Sequence, residues 1–202
     1  MPHPRSPVLC LASASPRRKT LLASIGVTVD VIAGDVDETP LPGEGGVAYV
    51  TRLAMAKASA AIPSTDLPIL GSDTAVMLDG RVLGKPKDAG HAAAMLRSLS
   101  GRNHEVVTAV AVHGPRGMLT ACVTTQVTMR CLSEAEIAAY WRTGEPQDKA
   151  GGYAIQGNAA IFVERIAGSQ LLHLSRVLEP ITSGEPADTA VVTGPSGTGK
   201  TC

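Results

Sequence analysis

The sequence predicts an α/β protein in which a mixed, twisted sheet carries helices on both faces and forms two lobes around a cleft. In the first sixty residues, short apolar runs alternate with helical patterns, which is typical of β-α units. Later segments alternate apolar and polar residues around turn signals such as Asp79-Gly80, which is typical of antiparallel hairpins. Parallel and antiparallel strands are therefore expected in one sheet.

The first β-α unit predicts a binding site for a polyphosphate. Residues 8–12 form an apolar run typical of a buried strand, and a helix should follow with Ser15 as N-cap and Pro16 at its first position. The unpaired amides of a helix N-terminus attract anions, and the neighbouring Arg17 and Arg18 offer further donors for phosphate oxygens. A capped surface helix with two solvated arginines is the alternative.

The second β-α unit combines acidic and basic residues. Residues 27–33 alternate like a strand and lead into an acidic loop at residues 34–40, where three carboxylates, Glu38 among them, occur within four residues. Such oxygen ligands can hold a divalent cation, although a solvated turn is the more frequent structure. Residues 45–61 then predict a helix, with Lys57 at the edge of its apolar stripe.

Asp73 separates two strand-like segments within residues 69–80, where a carboxylate has little structural purpose. An acid at a strand end can face a cleft, where it holds a metal ion or takes a proton from water. A hydrogen-bonded turn aspartate is the alternative. The hairpin that follows places Lys85 between Gly84 and Pro86, so this lysine should be held rather than free.

The second half of the chain predicts two more helices and a long antiparallel hairpin. Asp88 should cap the first helix, residues 104–112 and 118–129 should form the hairpin, and Ser133 opens the second helix with a capping box.

A glycine-rich loop at residues 146–157 precedes a last predicted strand at residues 158–166. Gln156 of this loop carries both a donor and an acceptor, which suits it to contact the edge of a nucleobase.

The composition argues against several classes of function. Lysine plus arginine equals aspartate plus glutamate at 18 each, and aromatic residues are scarce, so neither a nucleic acid nor a membrane surface is an expected partner. Four scattered cysteines argue against a disulfide framework and against a zinc site. Since no apolar run reaches about 18 residues, we expect a cytoplasmic protein without a membrane span.

Four motifs occur along the chain in a specific order. They are S-A-S-P-R-R at residues 13–18, D-V-D-E-T at residues 35–39 with a later A-K-A at residues 56–58, G-S-D-T at residues 71–74 with G-K-P at residues 84–86, and D-K-A-G-G-Y-A-I-Q-G at residues 148–157. In order and spacing they resemble the Maf family of nucleotide pyrophosphatases, also described as septum-formation inhibitors. The resemblance implies a fold related to that of the inosine triphosphate pyrophosphatases. It also implies hydrolysis of a nucleoside triphosphate to the monophosphate and pyrophosphate, with Mg²⁺ or Mn²⁺ as cofactor.

The resemblance also implies roles for individual residues. Asp73 corresponds to the family's proton acceptor, Asp73 and Lys85 are the expected catalytic residues, and Glu38 and Asp73 are the expected metal ligands. The residues on the phosphate side of the substrate are expected to be Ser13, Ser15, Arg17, Arg18, Lys57 and Lys85.

Three positions resemble the family branch that acts on dTTP and UTP. These are Arg17, Thr74 and Gln156, where the branch acting on 7-methyl-GTP tends to have tryptophan, glutamine and glutamate. We therefore expect dTTP and UTP as substrates, with Thr74 and Gln156 in the substrate site. A homodimer is an expectation from the family alone.

The C-terminal segment departs from the family pattern, because the glycine-proline turn expected after Gly168 is missing. Residues 1–168 are therefore predicted to form the pyrophosphatase domain, and residues 169–202 a divergent, partly flexible segment. Residues 194–201 match the G-x-x-x-x-G-K-T pattern of a phosphate-binding loop, but only Cys202 follows them, whereas such a loop opens a helix.

Two alternatives stand beside the metal-dependent pyrophosphatase. The changed C-terminus could leave a non-catalytic, nucleotide-binding regulator of cell division, which would bind triphosphates without turnover. A phosphate-loop NTPase would instead release orthophosphate.

Overall fold

The computed structural model describes residues 6–168, and its architecture is the predicted α/β type. The strands are β1 Leu9–Ala12, β2 Val29–Val31, β3 Ile69–Leu78, β4 Arg81–Leu83, β5 Asn103–Gly114, β6 Gly117–Met129 and β7 Val163–Ala167. The helices are α1 Pro16–Ser24, α2 Gly46–Ala61, α3 Ala89–Leu99 and α4 Glu134–Arg142. Short 3₁₀ helices occur at Ile62–Ser64, Glu145–Asp148, Ala150–Gly152 and Asn158–Phe162.

The strands of this part of the chain form one sheet in the order β2-β1-β3-β5-β6-β7. As predicted, the sheet is mixed: β1 is parallel to β2 and β3, whereas the other pairs are antiparallel. The short strand β4 pairs with the C-terminal part of β3. Strands β1 and β4 lie on the same edge of β3, opposite to β5, where β1 pairs with residues 69–71 and β4 with residues 76–78.

Helices cover both faces of the sheet. Successive side chains of a strand point to opposite faces, and β3 carries apolar side chains on both of them. Ile69 and Met77 of β3 belong to the apolar cluster that contains the buried side of α2. Leu70 packs on the other face in the cluster that contains α1, and Val76 and Leu78 pack on that same face with α3 and α4. Between these last two clusters the face is left open, and the predicted cleft lies there.

Gly71 allows α2 to lie directly on β3. A Cβ atom at this position would be 2.1 Å from the carbonyl oxygen of Ala54 and 2.7 Å from the amide nitrogen of Ala58. No side chain fits into such a space. The close approach also determines where Lys57 lies, since it belongs to the same turn of α2.

Two predictions of local structure were wrong. Asp73 does not lie at a strand end, because β3 continues through it and pairs it with Ala109 of β5. The polar residues of this strand were mistaken for an interruption. The predicted strand at residues 158–166 begins only at Val163. The preceding five residues form a 3₁₀ helix, which buries Ala159 and Phe162 at a spacing of three that places both on one side.

Two further expectations concern the limits of the chain and the membrane. Residues 169–202, including the phosphate-loop pattern at 194–201, lie outside the described residues. Within residues 6–168, no helix combines the length and the apolar character needed to cross a membrane.

Candidate active site

The sheet has a gap along one edge of β3. Strand β1 pairs with β3 as far as Gly71, and β4 pairs with it from Val76 onward. In the described part of the chain, residues 72–75 therefore have a neighbouring strand on the β5 side alone. Strand β1 ends at this gap and leads into the N-terminus of α1, and β4 ends there and leads to Lys85. Two segments distant in sequence thus converge beside Asp73.

A cleft of 1080 Å³ opens at this gap, at the upper end of the size range of small-molecule sites. The N-terminus of α1 forms one wall, the glycine-rich loop forms another, and β3, β5 and β6 form the floor. All ten residues that the sequence predicted for the site line it: Ser13, Ser15, Arg17, Arg18, Glu38, Lys57, Asp73, Thr74, Lys85 and Gln156.

Acidic and basic side chains alternate along the cleft at the gap. The ammonium nitrogen of Lys57 lies 2.6 Å from Asp73 Oδ1 and 2.6 Å from Glu38 Oε1. Lys85 Nζ lies 3.7 Å from Glu38 Oε2. The side chains of Lys57 and Asp73 are only 15% and 11% exposed, so their charges interact with little screening by solvent.

The two carboxylates differ in how readily they bind a proton. Burial raises the pKa of Asp73 above its usual range, although the hydrogen bond and charge of Lys57 act in the opposite direction. Burial also pushes the pKa of Glu38 upward, but Lys57 and Lys85 together outweigh it, and the pKa of Glu38 lies below its usual value. Asp73 is therefore the better proton acceptor of the two.

The wall at α1 presents donors to the cleft. Ser15 begins the helix as predicted, yet its side chain makes no capping hydrogen bond. The buried Ser13 accepts hydrogen bonds through Oγ from Arg18 Nη1 at 2.8 Å and from the Ser15 amide at 3.3 Å. Burial lowers the pKa of Arg18, whose charge Asp73 and Glu38 support. Arg17 is exposed at the same wall.

The glycine-rich loop is joined to the segment that carries Lys85. The amide of Gly151 donates a 2.9 Å hydrogen bond to the carbonyl oxygen of Gly84. Gly151 has a φ of +68° and lies against Val76, so an added Cβ atom would meet that side chain at 3.0 Å. This contact links two walls of the cleft.

A family model described as Maf-like protein matches residues 8–171 of this chain. The chain belongs to the Maf-like family. It is 52% identical over 163 residues to a dTTP/UTP pyrophosphatase of Escherichia coli O157:H7, a match that covers 80% of this chain and 83% of the relative. A dTTP/UTP pyrophosphatase of Yersinia pestis bv. Antiqua gives the same identity and the same coverage.

Among solved structures, similarity is found to a nucleoside-triphosphatase, dITP/XTP pyrophosphatase, of Mycobacterium abscessus. The TM-score is 0.39 and the identity 21%, over 60% of this chain and 72% of that one.

Three cleft residues of this Maf-like chain were not predicted from the sequence. Tyr49 of α2 donates a 2.8 Å hydrogen bond from its hydroxyl to the carbonyl oxygen of Glu38, and so holds the acidic loop. Thr108 shares a 3.1 Å hydrogen bond with Thr74 on the floor of the cleft. Lys149 contacts its neighbour Asp148 in the glycine-rich loop.

The signals for these residues differ in strength. Lys149 lies within the D-K-A-G-G-Y-A-I-Q-G motif and could have been selected from it. Tyr49 is an aromatic residue on the apolar stripe of α2, which indicates burial and nothing more. Thr108 has no signal at all, since its partner depends on the register between β3 and β5.

Proposed function

We propose that this Maf-like protein hydrolyses dTTP and UTP to the nucleoside monophosphate and pyrophosphate. The observation that carries the proposal is the buried Asp73 beside Lys57, in a cleft whose α1 wall presents two arginines and a helix N-terminus. The 52% identity to relatives named dTTP/UTP pyrophosphatase supports it. Those names also speak against the non-catalytic regulator.

The cleft residues divide the work of this reaction. Arg17, Arg18 and the amides at the start of α1 bind the triphosphate, because they bring positive charge and hydrogen-bond donors to one wall of the cleft. Asp73 accepts the proton of the water that attacks the α-phosphorus, which its raised pKa favours. Lys57 and Lys85 stabilise the charge that develops on the phosphate oxygens and on the departing pyrophosphate.

The two acidic residues have the chemistry to hold a divalent cation with the substrate. Lys57 contacts Asp73 through Oδ1, which leaves Asp73 Oδ2 for a cation, whereas both oxygens of Glu38 lie near a lysine, Oε1 near Lys57 and Oε2 near Lys85. Within residues 6–168, no three His, Cys, Asp or Glu side chains are grouped to hold a metal by themselves. Mg²⁺ commonly uses one or two carboxylates and completes its shell with substrate phosphates. When bound, Mg²⁺ or Mn²⁺ would neutralise triphosphate charge and lower the pKa of bound water.

Pyrophosphate release from a panel of nucleoside triphosphates, with Mg²⁺ or Mn²⁺, tests the proposal. Asp73→Asn should reduce kcat by about 10²- to 10⁴-fold, as expected for loss of a general base. Asp88→Asn is the matched control, because asparagine also caps a helix and α3 is capped away from the gap. Unchanged turnover in Asp73→Asn would contradict the mechanism.

The same experiment separates the alternatives. Binding without turnover of any triphosphate would favour a non-catalytic regulator. Orthophosphate release that is abolished by Lys200→Ala would favour the phosphate-loop NTPase.

Three expectations go with this proposal. The protein is expected to act in the cytoplasm, where nucleotide pools are cleared or septation is restrained. A homodimer would be detected by light scattering. The domain boundary at residue 168 would be supported if a chain ending there retains turnover.

A further inference from the structure

Two side chains hold the backbone on both sides of Gln156. The hydroxyl of Tyr140 accepts a 3.1 Å hydrogen bond from the amide of Ala154 and donates one of 2.8 Å to Glu145 Oε1. Glu145 Oε2 in turn accepts a 2.9 Å hydrogen bond from the amide of Asn158. The amides two residues before and two residues after Gln156 are thus bound by one pair of side chains.

This Tyr140–Glu145 pair is itself rigidly held. Tyr140 is 3% exposed, and its ring packs edge-to-face on Phe162 with ring centroids 5.2 Å apart. The Glu145 carboxylate lies so close to Gly157 that a Cβ atom there would be 2.3 Å from Oε1. The absence of a side chain at Gly157 therefore leaves the space that the Glu145 carboxylate occupies next to the loop.

The charge of Glu145 strengthens these hydrogen bonds. Burial pushes the pKa of Glu145 upward, but the hydrogen bonds from the Asn158 amide and the Tyr140 hydroxyl outweigh it and lower that pKa. Burial, followed by the hydrogen bond to Glu145, raises the pKa of Tyr140, so its hydroxyl keeps its proton. Hydrogen bonds to an ionised acceptor are stronger than those between neutral groups.

Residues 154–157 link two short 3₁₀ helices and belong to no strand or α-helix, and Gln156 is exposed in the cleft. Within this link, the amide of Gly157 donates a 3.0 Å hydrogen bond to the carbonyl oxygen of Ala154, and the Tyr140–Glu145 pair connects it to the rest of the protein. An amide side chain discriminates between base edges only if its donor and its acceptor are presented in a defined orientation. Misplacement of a contacting group by about 1 Å can change a rate 10²-fold.

We propose that Tyr140 and Glu145 are positioning residues for base selection, which act by holding the loop so that the Gln156 amide meets the base in one orientation. The inference rests on the proposed function and deepens it, because it concerns which base is accepted rather than how the phosphate is cleaved. The chemical class it selects is a base with a carbonyl acceptor next to a ring N–H donor, as in uracil and thymine. Cytosine presents the opposite pattern, with an amino donor next to a ring acceptor.

The ratio of kcat/KM for UTP to that for CTP measures this selection. Tyr140→Phe removes one hydroxyl and keeps the ring on Phe162, and it should lower the ratio by roughly 3- to 10-fold, the range of one hydrogen bond. In a Gln156→Ala background the same change should leave the ratio unaltered, because residues that act through one another are not additive. Glu145→Gln provides a second variant with the same expected direction.

Tyr153→Phe is the matched control. It removes another buried hydroxyl of this loop, one that lies 2.5 Å from His104 Nε2, but it holds neither amide beside Gln156. It should lower the melting temperature without changing the UTP/CTP ratio. Amide hydrogen exchange, measured without nucleotide, should show faster exchange at Ala154 in Tyr140→Phe and not in the control.

The outcomes separate this inference from the proposed function. If the parent protein hydrolyses no triphosphate, the proposed function fails. The selection between the two bases is then measured as the ratio of the equilibrium dissociation constants for CTP and UTP. The inference is overturned if the parent does not prefer UTP to CTP. It is also overturned if Tyr140→Phe lowers stability but keeps the ratio, or if the ratio falls equally without Gln156.

Discussion

Replacing Gly71 by alanine should force α2 away from β3. The new methyl group would lie 2.1 Å from the carbonyl oxygen of Ala54, a contact that must lengthen to at least 3.0 Å. The atoms it meets belong to the helix backbone and cannot turn aside as a flexible side chain would. Because α2 packs on β1, β3 and β5 through buried residues, the helix cannot move without opening the core.

The expected loss of stability follows from this overlap. Overpacking a core costs typically 1–3 kcal/mol, and a backbone clash belongs at or above the upper end of that range. For a domain of this size each kcal/mol lowers Tm by about 2–4 °C, so about 3 kcal/mol corresponds to roughly 6–12 °C. To lengthen the contact with Ala54 from 2.1 Å to 3.0 Å, α2 must move away from β3. A movement of that size would stretch the 2.6 Å contact between Lys57 and Asp73 to about 3.5 Å, the limit of a hydrogen bond. Turnover should therefore fall together with Tm.

Thermal unfolding followed by circular dichroism measures the change, with pyrophosphate release as the second assay. Gly114→Ala is the control, because no atom lies within 4 Å of a Cβ atom added there and the residue does not adopt a positive φ. A Gly71→Ala protein that melts within about 2 °C of the parent would refute the close packing of α2 on β3.

Three other predictions concern ionisation and helix capping. Because burial raises the pKa of Asp73, the acid limb of the pH profile of kcat/KM should have an apparent pKa above the usual aspartate value of about 3.9. Lys57→Met should raise this apparent pKa further, since Lys57 lowers the pKa of Asp73. A limb that moves to lower pH in Lys57→Met would contradict the prediction. Burial lowers the pKa of His104 from 6.5 to about 4, so the unfolded chain binds the extra proton between these values. The contribution of His104 to the free energy of unfolding should then be complete above pH 6.5 and fall with acid by up to about 1.4 kcal/mol per pH unit. Urea unfolding at several pH values should show a shallower fall in His104→Leu. Equal pH dependence of the free energy in the two proteins would show that this residue does not contribute. Asp88→Ala should lower the free energy of unfolding by about 1 kcal/mol, because Asp88 accepts a capping hydrogen bond. Ser15→Ala should lower it less, because the Ser15 side chain makes no such bond. A larger loss of Tm in Ser15→Ala than in Asp88→Ala would refute the assignment of the caps.

Local signals predicted most of the secondary structure. Asp88 and Ser133 were correctly identified as helix caps, because a cap depends on contacts within three residues. The Asp79-Gly80 turn was also predicted correctly, since both residues adopt the positive φ that this hairpin turn requires. Asp73 was wrongly placed at a strand end. The local polarity of this segment cannot show that Lys57, from a helix distant in sequence, forms an ion pair with a carboxylate inside a strand.

The candidate site was predicted as a set of residues but not as an arrangement. Arg17, Lys57, Lys85 and Gln156 were selected from separate motifs, and the cleft contains all of them. The contact between Lys57 and both acidic residues was not predicted. The sequence predicted the helix that begins after Ser133, but it did not indicate that Tyr140 of this helix holds the loop around Gln156.

The sequence by itself determined most of the helices and strands, the caps that begin α3 and α4, and which chemical groups are available, because those properties arise from contacts a few residues apart. Tertiary structure alone decided that β1 and β4 stop on either side of residues 72–75 and that Gly71 brings α2 close enough for Lys57 to reach Asp73. The pairing of Thr74 with Thr108 was decided in the same way. Strand register and helix packing are set by the whole core at once, and no local pattern encodes them.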